Sequence, residues 1–179
     1  GVAARTNNGE GVTLQAVSRG DPGTLLGENA RIAGAPTRLA FHRDDLWTVA
    51  NGLVEVFDTT GCLFADPDCL RSRARFRLPE SRAATDLVVL DDVVVVWGGA
   101  AGGFVYGADF DGVPAVVGRA FAPTGSQLQT LRPAGQGFCV SGAVDQSGAL
   151  GERCWSLVND GLPVARAPLA GAGDAFNVV

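Results

Sequence analysis

Few side chains in this sequence are of a type and spacing that do chemistry, and the cysteines are the most informative of them. Cys62 and Cys69 lie seven apart in the turn-rich stretch Gly61-Cys62-Leu63-Phe64-Ala65-Asp66-Pro67-Asp68-Cys69. Cys139 and Cys154 flank Asp145-Gln146-Ser147-Gly148. That tetrapeptide is a β-turn signal, because Asp closes the turn with its own side chain and Gly accepts a positive φ. If Asp145 faces Gly148 across the turn, Cys139 stands opposite Cys154, and facing residues of a hairpin lie ~4.5–5.5 Å apart, within disulfide reach. Four cysteines allow three pairings. Spacing and register favour Cys62–Cys69 and Cys139–Cys154, with reduced buried thiols as the alternative. Two disulfides imply an oxidising compartment, so the expected location is extracellular, cell-surface or periplasmic. The spacing lacks a Cys-x₂-Cys pair, and no metal site is expected from the thiols.

The other candidates are weaker. His42, the single histidine, sits in His42-Arg43-Asp44-Asp45. A general base needs a nucleophile and a cleft, and the sequence locates neither, so His42 reads as a turn residue. Asp109-Phe110-Asp111-Gly112 and the trio Asp58, Asp66 and Asp68 have the look of calcium loops. The distal Glu of an EF-hand is absent, and these read as turn carboxylates in water. Glu80 and Asp86 are further carboxylates, but nothing marks them as a glycosidase pair. Arg71, Arg73, Arg75 and Arg77 alternate with Ser72, Ala74, Phe76 and Leu78. Strand period two places the four guanidinium groups on one face, a positive stripe of roughly 20 Å. It reads first as protection of an edge strand by like charge and second as a surface for acidic glycans or carboxylates. No catalytic residue, metal ligand or cofactor is assigned.

The elements that position these groups follow from composition and spacing. The 179 residues are 46% hydrophobic and 18% charged, with 25 Gly and 9 Pro, a density that suits short strands joined by turns. All 14 basic residues are Arg and the net charge is −5, which disfavours nucleic acid as a partner. No window approaches the ~18 apolar residues of a membrane span. The bias toward Arg, Ala, Val and Gly without Lys suits a bacterial, GC-rich genome. The chain opens on Gly1-Val2-Ala3-Ala4-Arg5 and stops inside Ala175-Phe176-Asn177-Val178-Val179, which reads as an internal segment of a longer protein.

A repeat organises the chain. Gly9, Gly52, Gly103 and Gly148 mark turns between paired strand-like runs, at spacings of 43, 51 and 45 residues. Each pair is preceded by an apolar run (38–41, 86–90, 128–131) and followed by a more polar one (74–78, 116–121, 164–167). A period of ~40–50 residues with four strands per unit predicts a β-propeller. The expected fold is all-β, a propeller segment of about three to four four-stranded blades from a larger ring, with the first strand of each blade innermost. The expected blades are a partial one over 1–35, then 36–79, 80–123 and 124–170, with 171–179 starting the next.

Phe138-Cys139-Val140, the turn Asp145 to Gly148, and Arg153-Cys154-Trp155-Ser156 resemble the bacterial form of the regulator-of-chromosome-condensation repeat. In that family a Cys-bearing strand and an Asp/Asn-Gly turn precede a strand ending in Cys-Trp-Gly; Ser156 replaces the Gly. Leu46 to Gly61 has similar spacing, with Trp47 and Phe57 in the equivalent neighbourhoods, and Gly20 to Gly27 is similar to the family's Gly-Gln-Leu-Gly stretch. Val94-Val95-Val96-Trp97-Gly98-Gly99 with Tyr106 is similar to a kelch repeat instead. Both resemblances imply a propeller. The founding member's role in nucleotide exchange does not carry over, because none of its contact residues can be matched here.

Propeller sites lie on loops entering the inner strand and on the central hairpins, since loops vary on a rigid scaffold. That points to Arg38, Asn51, Arg82, Asp86, and Gly99 to Gly103. The expected function is non-enzymatic: a binding or display scaffold of an exported bacterial protein, with a protein or glycan ligand and the remaining blades of the same chain as partners. The alternative is a portion of a propeller enzyme, a hydrolase or oxidoreductase, whose catalytic residues lie outside this segment.

Overall fold

Runs of β-branched and aromatic residues between turn residues form fifteen strands among the described residues. The computed structural model describes residues 2–7, 11–17, 25–33, 36–60, 70–158 and 162–165. The strands are β1 (Val2–Asn7), β2 (Gly11–Val17), β3 (Leu25–Ala33), β4 (Arg38–His42), β5 (Asp45–Ala50), β6 (Leu53–Asp58), β7 (Arg71–Phe76), β8 (Asp86–Leu90), β9 (Val93–Trp97), β10 (Gly103–Gly107), β11 (Val116–Ala120), β12 (Gln127–Pro133), β13 (Gly137–Ala143), β14 (Leu150–Val158) and β15 (Leu162–Ala165). Two single-turn 3₁₀ segments, Pro79–Ser81 and Gly99–Ala101, are the helical content of the described residues.

The strands pair in chain order as antiparallel meanders: β1-β2-β3, β4-β5-β6-β7, β8-β9-β10-β11 and β12-β13-β14-β15. The fold is therefore all-β, as the sequence predicts, with one sheet per repeat. The chain divides into two compact units, Gly1–Phe76 and Arg77–Val179.

In the first unit, β5 is the buried strand, with Leu46, Trp47 and Val49 sealed from solvent. Its hairpin to β6 closes on Asn51-Gly52, both with positive φ (51° and 74°), while Ala50 pairs with Leu53. This is the mirror-image turn whose twist matches that of the flanking strands, and it is why Asn-Gly occurs there. β3 carries no strand signal in the sequence, because Gly27-Glu28-Asn29 interrupts its apolar residues and register shifts break its pairing with β2.

In the second unit the two sheets share one core. Val95, Trp97 and Val105 from one sheet pack with Leu128, Phe138, Val140 and Trp155 from the other. Trp155 stacks on Phe138 at 5.4 Å between ring centroids and meets Trp97 at 5.5 Å. Two directed hydrogen bonds lock the seam. Trp97 Nε1 donates to the Leu128 carbonyl (2.8 Å), and the Leu131 amide donates to Asp86 Oδ2 (2.7 Å). The other Asp86 oxygen accepts from the Leu87 amide (2.8 Å). The first strands of the two sheets, β8 and β12, are thereby held side by side.

The β13–β14 hairpin has the register expected from its turn. Asp145 Oδ1 accepts from the Ser147 amide (2.8 Å), and Gly148 has φ of 78°. Cys139 faces Cys154 with Cα atoms 4.0 Å apart, and the two are disulfide-bonded. Cys62 and Cys69 lie outside the described residues.

Two outcomes are expected. Replacing Asp86 by Ala strands two buried amides, each costing about 1–3 kcal/mol, so the urea unfolding midpoint falls, with less loss for Asp86→Asn, which keeps one acceptor. Alkylation without reductant, followed by intact mass, leaves Cys139 and Cys154 unmodified. The double Cys→Ser variant loses about 3 kcal/mol, the entropy of a loop of 15 residues.

Candidate ligand cleft

Turn chemistry at one end of the second unit builds a concavity. Asp91-Asp92 forms the two-residue turn between β8 and β9, with Leu90 paired to Val93 and Asp91 at φ 42°, a conformation that short polar side chains tolerate. Across from it, Ala134-Gly135-Gln136 joins β12 to β13. Gly137 there has no substitute: a Cβ would sit 2.0 Å from the Trp155 carbonyl. Main-chain bonds pin both turns, with the Ala108 amide donating to the Asp92 carbonyl (2.8 Å) and the Leu157 amide to the Gln136 carbonyl (2.9 Å). Between the turns lies a cleft of about 640 Å³. Its walls include Val89, Leu90, Val93, Val117 and Leu157, and its polar groups are Asp91, Asp92 and Gln136, all exposed. Apolar walls with two carboxylates fit a cationic group carried on an apolar stem.

The residues singled out in the sequence fall elsewhere. Arg82, Asp86, Gly99 and Gly103 gather at the other end of the β8–β11 sheet, where β8 begins and β9 turns into β10. Arg82 forms an ion pair with Glu80 through Nη2, with Nε 3.0 Å from the same oxygen. Asp86 is 3% exposed and occupied by backbone amides. Gly103 is buried, and a Cβ there would come within 2.9 Å of the Trp97 ring, whereas Gly99, at φ 61°, has open space around it. In the first unit, Arg38 is the exposed first residue of β4, opposite Val49, and Asn51 is in the hairpin turn. The cleft went unmarked because the sequence shows where turns are and not which end of two packed sheets opens.

The arginine stripe is corrected by a bulge. β6 and β7 pair Val56 with Ala74 but Phe57 with Ser72, so Arg73 is an extra residue and the alternation reverses there. Ser72 Oγ donates to Glu55 Oε1 (3.0 Å), which places Ser72 on the side of Arg75. Arg71 falls opposite Asp58, and Arg73 Nη1 bonds Asp45 Oδ2 (2.6 Å). Arg77 lies just beyond β7. All four arginines are exposed, but they do not form one row.

The remaining candidates are placed as follows. His42 ends β4, buried, opposite Asp45. Asp109 and Asp111 are exposed in the loop after β10. Asp66 and Asp68 lie outside the described residues. Among the described residues, Cys139, Glu152 and Cys154 form one group close enough to share a metal, but the two sulfurs are bonded to each other, and Arg132 holds Glu152 at two points (2.7 and 2.6 Å).

No protein-family model matches the chain, and no curated protein matches it. Solved structures do. The N-terminal domain of Nup159 superposes with a TM-score of 0.54 at 10% identity, over 93% of this chain and 40% of that one. The computationally designed Ika8 protein gives 0.53 at 17%, over 92% and 48%. BamB from Moraxella catarrhalis gives 0.50 at 13%, over 92% and 47%. The chain thus spans less than half the length of each. The Nup159 domain and BamB are propeller proteins, and at these identities the likeness is one of fold: this chain is propeller-like.

Asp58 carries a pH signature. The Thr60 amide (2.8 Å) and hydroxyl (2.7 Å) both donate to it, and with Arg73 and Arg71 nearby they hold its carboxyl below the usual range. A lowered folded value means its stabilising contribution is present above the unfolded pKa of about 3.9 and is lost as pH falls through the folded value. In an acid titration followed by NMR, the Thr60 amide is expected to move below pH ~3.9, and Asp58→Asn abolishes that step.

Proposed function

We propose that this chain is a non-enzymatic binding scaffold of an exported bacterial protein, engaging a protein or glycan partner through the cleft at Asp91 and Asp92. The cleft carries the reading: a concavity of about 640 Å³ on a rigid pair of sheets, with carboxylates beside apolar walls. The partner group it suits is an amine or guanidinium on an apolar stem. Export is supported by the Cys139–Cys154 disulfide. Among the described residues, no helix is long and apolar enough to cross a membrane. The repeat is proposed to be of the regulator-of-chromosome-condensation type, with kelch as the rival, because its Cys–turn–Cys-Trp unit coincides with the β13–β14 hairpin. The rest of the ring is proposed to come from further blades of the same polypeptide.

The test is binding of fluorescent probes to the chain and to Asp91→Asn/Asp92→Asn, a pair that keeps the turn residues short and polar while removing both charges. A Lys/Arg-containing peptide or a glucosamine oligomer is expected to bind and to lose about tenfold in affinity, ~1.4 kcal/mol, in the variant. Equal affinity for the variant, or for an uncharged analogue of the probe, overturns the reading.

A further inference from the structure

Arg119 on β11 differs from the other arginines of this unit. It pairs in register with Phe104 of β10, and its guanidinium lies 4.9 Å from the Phe104 ring centroid. Phe121, two residues on, brings a second ring to 5.1 Å. The cation therefore sits between two aromatic rings, one buried and one open. Its Nε is buried without an acceptor, and the residue makes no ion pair among the described residues. Arg132, by contrast, meets a carboxylate at 2.6 Å. A buried donor left unmatched costs stability. Nε is the atom of Arg119 that is buried without a partner, and the opposite edge of the guanidinium carries the paired Nη groups. That edge is the planar fork that grips a carboxylate at two points.

The surroundings indicate what bears the carboxylate. Phe121 is 70% exposed and Val113 67%, and Val116 and Val117 are exposed as well. Among the described residues β11 is also the last strand of its sheet, and a last strand's outer edge offers backbone donors and acceptors to an extended segment. An apolar strip around a cation held by rings matches a peptide that alternates apolar and acidic side chains better than it matches a hydroxyl-rich sugar. We propose that Arg119, clamped between Phe104 and Phe121 at the β11 edge, is a binding site for an acidic side chain of an extended peptide partner. This rests on the reading of the chain as a binding scaffold; it borders the Asp91–Asp92 cleft at Val117 but depends on Arg119, Phe104 and Phe121, which lie outside it, and on a partner of opposite charge.

The experiment uses a fluorescein-labelled peptide of alternating Glu and Val, its Gln/Val counterpart, and an oligogalacturonate, each titrated against the chain by anisotropy. The Glu/Val peptide is expected to bind, and the Gln/Val peptide about tenfold more weakly. Arg119→Gln removes that difference. Arg119→Lys, which keeps the charge without the fork, recovers it only in part. Phe121→Ala, a change at a solvent-exposed ring, weakens the Glu/Val peptide about threefold through loss of one cation–π face. An unaltered thermal melt and protection of Cys139 and Cys154 from alkylation verify the fold of each variant, and should Arg119→Gln fail to fold, Phe121→Ala decides. Equal binding of the Glu and Gln peptides, full binding by Arg119→Lys, or no effect of Phe121→Ala overturns the proposal. Tighter binding of the oligogalacturonate than of the peptide also overturns it, in favour of an acidic glycan. Because Asp91→Asn/Asp92→Asn acts on cationic probes and Arg119→Gln on acidic ones, failure here is distinguishable from failure of the cleft reading.

Discussion

The second unit depends on one cross-strand pair, Asp86 and Trp97. They face each other across β8 and β9, and each sends one hydrogen bond contact over the seam to the backbone of β12, at Leu131 and Leu128. Apolar packing is non-directional and alone would let two sheets slide. A buried carboxylate and a buried indole N–H are each costly unless satisfied, so together they admit one height and one spacing of β12. The sheets are fastened where β8 begins. At its other end, four residues on, strand twist separates what the fastening holds together, and there the cleft lies. The constraint and the opening are two ends of the same strand.

This arrangement also explains which features the sequence exposes. Local rules were legible: Asn51-Gly52 dictates its hairpin, and the Asp145–Gly148 turn sets Cys139 opposite Cys154. Three things were not. The bulge at Arg73 reverses the alternation without any glycine or proline to announce it, so the four arginines read as a row that does not exist. β3 is masked by polar residues inside a strand with irregular pairing. Asp86 sits at the start of an apolar run and resembles a loop-facing acid, although one of its oxygens is satisfied by the backbone of a neighbouring sheet and the other by Leu87 of its own strand. In each case the deciding partner is distant in sequence.

The charged groups divide by what satisfies them. Arg73 and Arg132 are neutralised by Asp45 and Glu152, and two acids beside strand ends, Asp58 and Asp145, are met by nearby amides and hydroxyls. Such groups set local geometry and leave little charge to offer. Arg119 is held by aromatic faces, which stabilise a cation without neutralising it. Arg119 thereby keeps its positive charge on a chain whose net charge is −5.

The meander order has a kinetic side. Among the described residues every strand pairing joins chain neighbours, so each sheet closes over loops whose entropic cost grows only slowly with length. Such topology lets a sheet form as soon as its own forty-odd residues have left the ribosome, before the next one exists. Within the second unit assembly then proceeds as a relay: the finished β8–β11 sheet presents a buried-polar template, Asp86 and Trp97, against which β12 finds its place.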